Sequence, residues 1–272
     1  MPSVTLDHFR RSAADIAAHG DNDTLPFDVD NRFIRDNQEE LAQLAFSFFD
    51  ELESTEGKEK RKTVAKRINS LPVFSERLLV PTGPSGFRIT TKLHPFWNLY
   101  FNGLGVAIAE AHEPKRSDRA HSYRFVDTGE ALFDRKASWR AYRGATLEDG
   151  DLRESTVVAQ TDISNFYEHV YHHRIANFVD DLFGYESTVS TQVDRFLSKF
   201  AAGRSFGLPV GGQCARILAE LLMTAVDSTL TDAGLTWHRY VDDFTLFTPS
   251  QAETYRALSI LSNALADYGL SL

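Results

Sequence analysis

The chain has 272 residues, of which 42% are hydrophobic and 25% are charged, and these ordinary proportions predict a folded globular protein rather than a disordered one. The single cysteine, Cys214, excludes an internal disulfide framework, and there is no apolar run of about 18 residues that could span a membrane. No secretory leader pattern opens the sequence, so we expect a cytoplasmic protein. The net charge of −9 argues against a nucleic-acid protein with a uniformly basic surface, although clustered metal-binding carboxylates would also make it negative.

The first part of the chain is predicted to be helical. Apolar residues recur at helical spacing at Leu41, Leu44, Ala45 and Phe48. The charged residues 51–67 continue this pattern, and we interpret them as a solvated helix face.

A second helix is predicted over residues 96–111, which are apolar enough for a buried helix and follow Pro95, a residue suited to a first helical turn. Residues 112–124 form a basic, polar connection. The acidic, turn-rich residues 144–154 predict a boundary before the first β-like run at residues 156–159.

Three segments carry candidate chemistry, and the first of them is residues 156–167, TVVAQTDISNFY. A β-branched strand is predicted to end at Asp162, after which Ser164 and Asn165 turn the chain into a helix. This arrangement places one carboxylate at the end of a strand.

The second segment is the loop GLPVGG at residues 207–212, whose glycines allow the backbone to approach a ligand closely. An amphipathic helix with one packed apolar face is predicted to follow it.

The third segment is WHRYVDDFTLF at residues 237–247, which predicts a β-hairpin with Asp242 and Asp243 at or beside its turn. Two adjacent carboxylates that faced Asp162 would repel it strongly unless cations lay between them. The three aspartates therefore predict a two-metal site, and hard oxygen ligands favour Mg²⁺ or Mn²⁺. The other adjacent pair, Asp180 and Asp181, lacks such a context and is interpreted as a surface turn.

At these residues the sequence resembles reverse transcriptases: TDISNFY is similar to their motif A, GLPVGGQCARILAE to motif B and RYVDDFTLF to motif C. The segments SNFYEHVYHHRI, HPFWNLYF and SYRF resemble the bacterial abortive-infection and defence-associated group, which protects bacteria against phage. The resemblance implies an α+β right-hand polymerase with an antiparallel palm sheet. The resemblance covers roughly residues 85–272. Together with the helical pattern before it, it divides the chain into a helical N-terminal extension (1–70), fingers (71–145 and 171–206) and palm (146–170 and 207–272).

The same resemblance implies roles for individual residues. Asp162, Asp242 and Asp243 would be catalytic metal ligands, with the Ile163 carbonyl beside them. Tyr167 would be a steric gate that favours deoxynucleotides. The remaining residues implied in nucleotide binding are Phe166, Gly207, Pro209, Gly211 and Arg124. Arg88, Lys115, Arg116 and Arg119 are further candidate cations for the triphosphate.

The implied reaction is transfer of dNMP from a dNTP to a 3'-hydroxyl of RNA or DNA, in antiphage defence, with template-independent synthesis and protein priming both left open. Two rival hypotheses are an RNA-synthesising palm enzyme and a palm-fold scaffold without catalysis. Val210 and Ala215 depart from the usual motif B, where Gln and Ser are common. The chain ends at Leu272, where relatives continue into a thumb, so we expect that region, a partner chain or a homo-oligomer to complete the enzyme.

Overall fold

The computed structural model describes residues 1–20, 24, 28–82, 86–127, 131–134, 136–148 and 154–272. Helices and two small antiparallel sheets make up this part of the chain. The helices are α1 (Leu6–His19), α2 (Asp28–Asp36), α3 (Gln38–Glu53), α4 (Lys60–Asn69), α5 (Pro95–His112), η1 (Glu113–Lys115, a 3₁₀ turn), α6 (Trp139–Glu148), α7 (Phe166–His169), α8 (His172–Phe183), α9 (Val189–Phe200), α10 (Gln213–Asp232) and α11 (Gln251–Ala266). The strands are β1 (Ser75–Pro81), β2 (Phe87–Leu93), β3 (Val157–Thr161), β4 (Thr236–Tyr240) and β5 (Asp243–Thr248).

Helix α5 is the central helix of the core, as its apolar sequence predicts, and Pro95 occupies its first turn. Almost every side chain from Asn98 to Ala109 is buried. Gly105 lets α10 approach closely, because a Cβ atom there would lie 2.9 Å from the Sγ of Cys214. The helix that carries the predicted motif B is thereby held against the centre of the protein.

The first seventy residues are helical and pack into the same core. Helix α1 lies against α3 and α5. Its Phe9 is fully buried and stacks on Tyr100 with ring centroids 5.6 Å apart. These helices therefore support α5 directly.

The interpretation of residues 51–67 as one solvated helix face is wrong in two respects. Helix α3 ends at Glu53 and α4 begins at Lys60, with Gly57 between them at a φ of 106°, a backbone conformation that interrupts a helix. Arg61 is also not purely solvated, because its guanidinium donates to both carboxylate oxygens of Asp180, with one contact of 3.0 Å.

The surface-turn interpretation of Asp180 and Asp181 is wrong for the same reason. Both residues lie in α8, and Asp180 is buried. A bidentate arginine pair supplies the hydrogen bonds that a buried carboxylate requires. The pair ties α4 to α8.

The predicted boundary at residues 144–154 falls partly within a helix. Tyr142 and Thr146 are buried one turn apart, and this amphipathic pattern continues α6 to Glu148, past the predicted division at residue 145. Residues 149–153 lie outside the described residues.

The three-stranded sheet contains the strands that lead to the predicted aspartates. In the three-stranded sheet the order is β3-β5-β4, and all pairs are antiparallel. Helix α11 packs on β3 and β5, and α6 packs beside β4. The other sheet is the β1-β2 hairpin. No helix among the described residues is both long and apolar enough to cross a membrane.

Candidate active site

Asp162 follows the last residue of β3, as predicted. Its neighbour Ile163 is buried, and the backbone N–H of Ser164 donates to the carbonyl of Ser271 at 2.9 Å. Asn165 then adopts a left-handed conformation with φ of 47°, which asparagine tolerates better than most residues. This turn starts α7, so the side chains of Asp162 and Tyr167 are set by one short strand-turn-helix unit.

Asp242 and Asp243 occupy the predicted hairpin. Strand β4 ends at Tyr240 and β5 begins at Asp243, so Val241 and Asp242 form the turn. Thr161 pairs with Phe244 in the sheet, and one further step along the ladder brings Asp162 level with Asp243. The sheet register therefore brings the three aspartates to the same end of β3 and β5.

The aspartates line a single cavity of about 570 Å³. The N-terminal β-hairpin and the turn after β3 contribute to its other walls. The lining residues of the cavity that bear on function are Arg88, Tyr123, Trp139, Asp162, Ile163, Phe166, Tyr167, Val210, Tyr240, Asp242 and Asp243. Of the residues predicted from sequence, the three aspartates, Ile163, Phe166 and Tyr167 are thus brought together.

The carboxylates of the cavity affect one another electrostatically. Burial, followed by the negative charges of Asp162 and Asp243, raises the pKa of Asp242 to about 6, although the nearby Arg88 opposes the shift. Burial and Asp162 also raise the pKa of Asp243. Within the described residues no lysine, arginine or histidine forms an ion pair with any of the three. Arg88 thus acts on Asp242 through its charge without forming a direct ion pair with it.

The donor chemistry of the cavity fits a hard divalent cation, since carboxylate and carbonyl oxygens are the ligands that Mg²⁺ and Mn²⁺ prefer. The described residues nevertheless contain no group of three or more Asp, Glu, His or Cys side chains arranged closely enough to enclose a metal ion. The carboxylates share a cavity, but they do not form a closed ligand shell.

A buried network of charges holds the turn before Asp242. Val241 has a φ of 58°, which is an outlier for a β-branched residue. Its N–H donates to the Ser122 hydroxyl at 2.9 Å, and its carbonyl accepts from Arg239 at 2.8 Å. Both polar groups of the strained residue are therefore satisfied, which stabilises the conformation that presents Asp242.

Arg239 is fully buried and links the turn to α10. It donates to Glu220 at 3.0 Å and to Asp227 at 2.7 Å. Arg116 donates to the same Glu220 at 2.6 Å. Although burial opposes it, the charges of Arg239 and Arg116 hold the pKa of Glu220 below its ordinary value.

The loop predicted as part of motif B is bonded to two neighbours. Gly207 has a φ of 94°, and the N–H of Leu208 donates to the Tyr167 carbonyl at 2.8 Å. The N–H of Thr91 in β2 donates to the carbonyl of Val210 at 2.7 Å. The loop therefore connects the β1-β2 hairpin to the segment that carries Tyr167.

Only Val210 of this loop lines the cavity of the aspartates. Gly207 and Pro209 line a smaller adjoining cavity of about 100 Å³, which shares Ile89, Glu168 and Val210 with the larger one. Gly211 lines neither cavity. It lies where a Cβ atom would be 2.9 Å from the carbonyl oxygen of Thr91.

The cations predicted from sequence are used differently from the expectation. Arg124 donates to Glu113 at 2.5 Å and to the carbonyl of Ser117 at 2.7 Å, and it does not line the cavity. Arg116 is committed to Glu220. Both arginines therefore form ion pairs with carboxylates of this chain, which sequence spacing did not reveal. Of the predicted cations, Arg88 lines the cavity.

Sequence reasoning missed several aromatic lining residues, among them Trp139 and Tyr240. The rings of these two residues meet edge to face with centroids 5.3 Å apart. Burial raises the pKa of Tyr240. Tyr240 directly precedes the hairpin turn, which is a signal that the sequence offered. Trp139 has no such signal, because its position depends on α6 packing beside β4.

Comparison with known proteins agrees with the motif order. A family model described as reverse transcriptase (RNA-dependent DNA polymerase) matches residues 108–272, which include the three aspartates, Tyr167 and the loop at 207–212. No curated protein matches the sequence.

Proposed function

Because the chain belongs to the reverse transcriptase family of RNA-dependent DNA polymerases, we propose that it transfers a deoxynucleoside monophosphate from a dNTP to a 3'-hydroxyl, with release of pyrophosphate. One observation carries the proposal: Asp162, Asp242 and Asp243 line one cavity without ion pairs to the described residues. Uncompensated carboxylates are costly for a fold, and they are retained where they bind cations.

Asp162, Asp242 and Asp243, with the Ile163 carbonyl, would hold Mg²⁺ or Mn²⁺. When bound, such ions lower the pKa of the attacking hydroxyl and neutralise charge on the leaving phosphate. Their carboxylate and carbonyl oxygens are the donors that such ions prefer. Arg88 is the cation of the cavity wall suited to the triphosphate.

Tyr167 and Phe166 form the wall of the cavity on the β3 side, where we place the sugar of the incoming dNTP. Tyr167 is partly buried against the core, and burial raises its pKa well above the ordinary value, so it remains a neutral phenol. A fixed, uncharged ring can exclude a 2'-hydroxyl by contact. This is the steric-gate role.

We assign the three-stranded sheet to the palm and the β1-β2 hairpin to the fingers, on the basis of the resemblance described above. The same resemblance supports a bacterial, cytoplasmic enzyme of antiphage defence that acts on RNA or DNA and functions in a larger assembly. These assignments rest on the segments SNFYEHVYHHRI, HPFWNLYF and SYRF.

The test is incorporation of labelled dNTP in Mg²⁺ or Mn²⁺, with and without an RNA or DNA template and primer, followed by protease treatment to detect label on protein. We expect Asp242→Asn to reduce incorporation by about 100-fold or more, because it removes charge stabilisation in the transition state. Asp181→Asn is the matched control, since Asp181 is the exposed member of the other aspartate pair. No incorporation by the unmodified chain under any condition would favour the scaffold hypothesis.

The same assay with ribonucleotides tests Tyr167. We expect Tyr167→Ala to raise the incorporation of NTP relative to dNTP, because the smaller side chain admits the 2'-hydroxyl. Unchanged sugar selection would contradict the gate role, and preference of the unmodified chain for NTP would favour the RNA-synthesising hypothesis.

A further inference from the structure

Helix α6 has one face fixed to the sheet. Tyr142 is buried, and its hydroxyl lies 2.6 Å from the Thr245 hydroxyl in β5. Thr146, one turn later, is also buried and donates to the Tyr142 carbonyl at 2.9 Å. These contacts fix which side of α6 meets solvent.

The exposed side of α6 begins with an aromatic residue and two cations. Trp139 is 47% exposed, and Arg140 and Arg143 are exposed on the same helix. Within the described residues neither arginine forms an ion pair with a carboxylate. In a chain of net charge −9, this is a local positive surface.

This surface lies at the edge of the candidate active site. Trp139 lines the cavity that contains Asp242 and Asp243. It also packs edge to face on Tyr240, with ring centroids 5.3 Å apart. The helix is thereby attached to the strand that leads into the aspartate turn.

The sheet order places aromatic residues on both sides of the aspartates. Tyr167 follows β3 at one edge of the sheet, whereas Tyr240 and Trp139 lie at β4, the other edge. A nucleotidyl transfer has two substrates that must meet at the metal ligands. The wall at β3 is already assigned to the incoming nucleotide, so the wall at β4 is available for the strand that accepts it.

Resting on the proposed function, we infer that the exposed face of α6, formed by Trp139, Arg140 and Arg143, binds the end of the accepting nucleic-acid strand. Trp139 stacks on a base, and the two guanidinium groups contact its phosphates. Aromatic stacking together with backbone cations is the usual way to bind a single strand without reading its sequence. The two arginines make this surface complementary to a polyanion.

Binding of a 5'-labelled oligonucleotide with a free 3'-hydroxyl to the full chain, followed by fluorescence anisotropy without dNTP, tests this inference independently of catalysis. We expect Trp139→Ala to weaken binding about tenfold and Trp139→Phe to restore most of the affinity, because phenylalanine still stacks. The double variant Arg140→Gln, Arg143→Gln should lower the slope of log Kd against log salt by about 1.4, the value for two contacts to single-strand phosphates.

Tryptophan fluorescence gives a second readout. Trp237 is fully buried and Trp97 is partly buried among aromatic side chains, whereas Trp139 is 47% exposed, so Trp139 is the most accessible of the three tryptophans. We expect the oligonucleotide to quench the fluorescence of the unmodified chain and not that of Trp139→Phe. Tyr255→Ala, which removes an exposed aromatic side chain of α11 outside the cavity, is the matched control and should bind normally.

An affinity of Trp139→Ala within twofold of the unmodified chain, with no quenching, would overturn the inference. So would a change in oligomeric state of Trp139→Ala by sedimentation without a change in affinity, which would assign the surface to a second copy of the chain. If either result accompanied normal dNTP incorporation, the polymerase proposal would stand. If binding behaved as expected while Asp242→Asn incorporated dNTP normally, the polymerase proposal would fail and the strand-binding surface would remain.

Discussion

Two groups of acidic side chains lie on either side of the hairpin turn, and they differ in whether arginine side chains form ion pairs with them. Glu220 and Asp227 are buried beneath the turn, and Arg239 and Arg116 contact them directly. Asp162, Asp242 and Asp243 lie in the cavity above it, and no cation of the described residues forms an ion pair with them. The negative charges of the first group are balanced by arginines of the chain. Those of the second group have no direct ion-pair partner among the described residues.

The presence or absence of a paired cation distinguishes the two groups more clearly than the number of carboxylates does. A buried ion pair that has all its hydrogen bonds fixes geometry. In the cavity, burial and then the neighbouring charges of Asp162 and Asp243 raise the pKa of Asp242 to about 6. The compensated group positions the uncompensated one, because Arg239 bonds to both Glu220 and Val241.

The largest expected effect comes from breaking the compensated group. Arg239→Met removes the guanidinium and leaves Glu220 and Asp227 buried without their main cation. We expect a loss of about 3–5 kcal/mol in the free energy of unfolding, measured by urea denaturation. Arg256→Met, at an exposed pair with Glu253, is the control and should change stability by less than about 0.5 kcal/mol. Similar losses in both variants would contradict the distinction between the groups.

A smaller change in stability is expected when a divalent cation binds Asp162, Asp242 and Asp243. Mg²⁺ or Mn²⁺ at about 100 times its dissociation constant should raise the free energy of unfolding by about 3 kcal/mol, since it binds the folded state alone. Thermal unfolding with metal and with EDTA measures the change. Asp242→Asn should reduce it and Asp181→Asn should not. A metal-induced shift that survives Asp242→Asn would place the binding site elsewhere.

The smallest expected effect is the change in folding stability with pH. Because the pKa of Asp242 is raised from 3.8 to about 6, the folded state binds more protons than the unfolded state between these values, and stability falls as pH rises through 6. In EDTA we expect Asp242→Asn to be more stable than the unmodified chain by about 1 kcal/mol at pH 8, after allowance for the partial exposure of the carboxyl. The difference should vanish below about pH 4. An Asn variant that is less stable at pH 8 would show that the carboxylate is compensated after all.

Much of the site could be predicted because each motif has a strong local signal. The β-branched run before Asp162 gives β3, and the aromatic runs around Asp242 and Asp243 give the hairpin. Pro95 and the apolar residues after it give α5. In each case the local preference of the segment agrees with its place in the fold.

The partners of charged residues could not be predicted in this way. Arg61 and Asp180 are 119 positions apart, and Arg116 and Glu220 are 104 apart. Such contacts depend on helix packing, which no local pattern encodes. For the same reason the sequence carries no signal for the ion pair of Arg124 with Glu113 or for the position of α6 beside the cavity.

The hydrogen bond from Thr91 to Val210 has a mechanical consequence. It joins the β1-β2 hairpin to a loop whose other end is bonded to the Tyr167 carbonyl through Leu208. A displacement of the hairpin would therefore be transmitted through the loop to the backbone of Tyr167, the residue for which we propose contact with the nucleotide sugar.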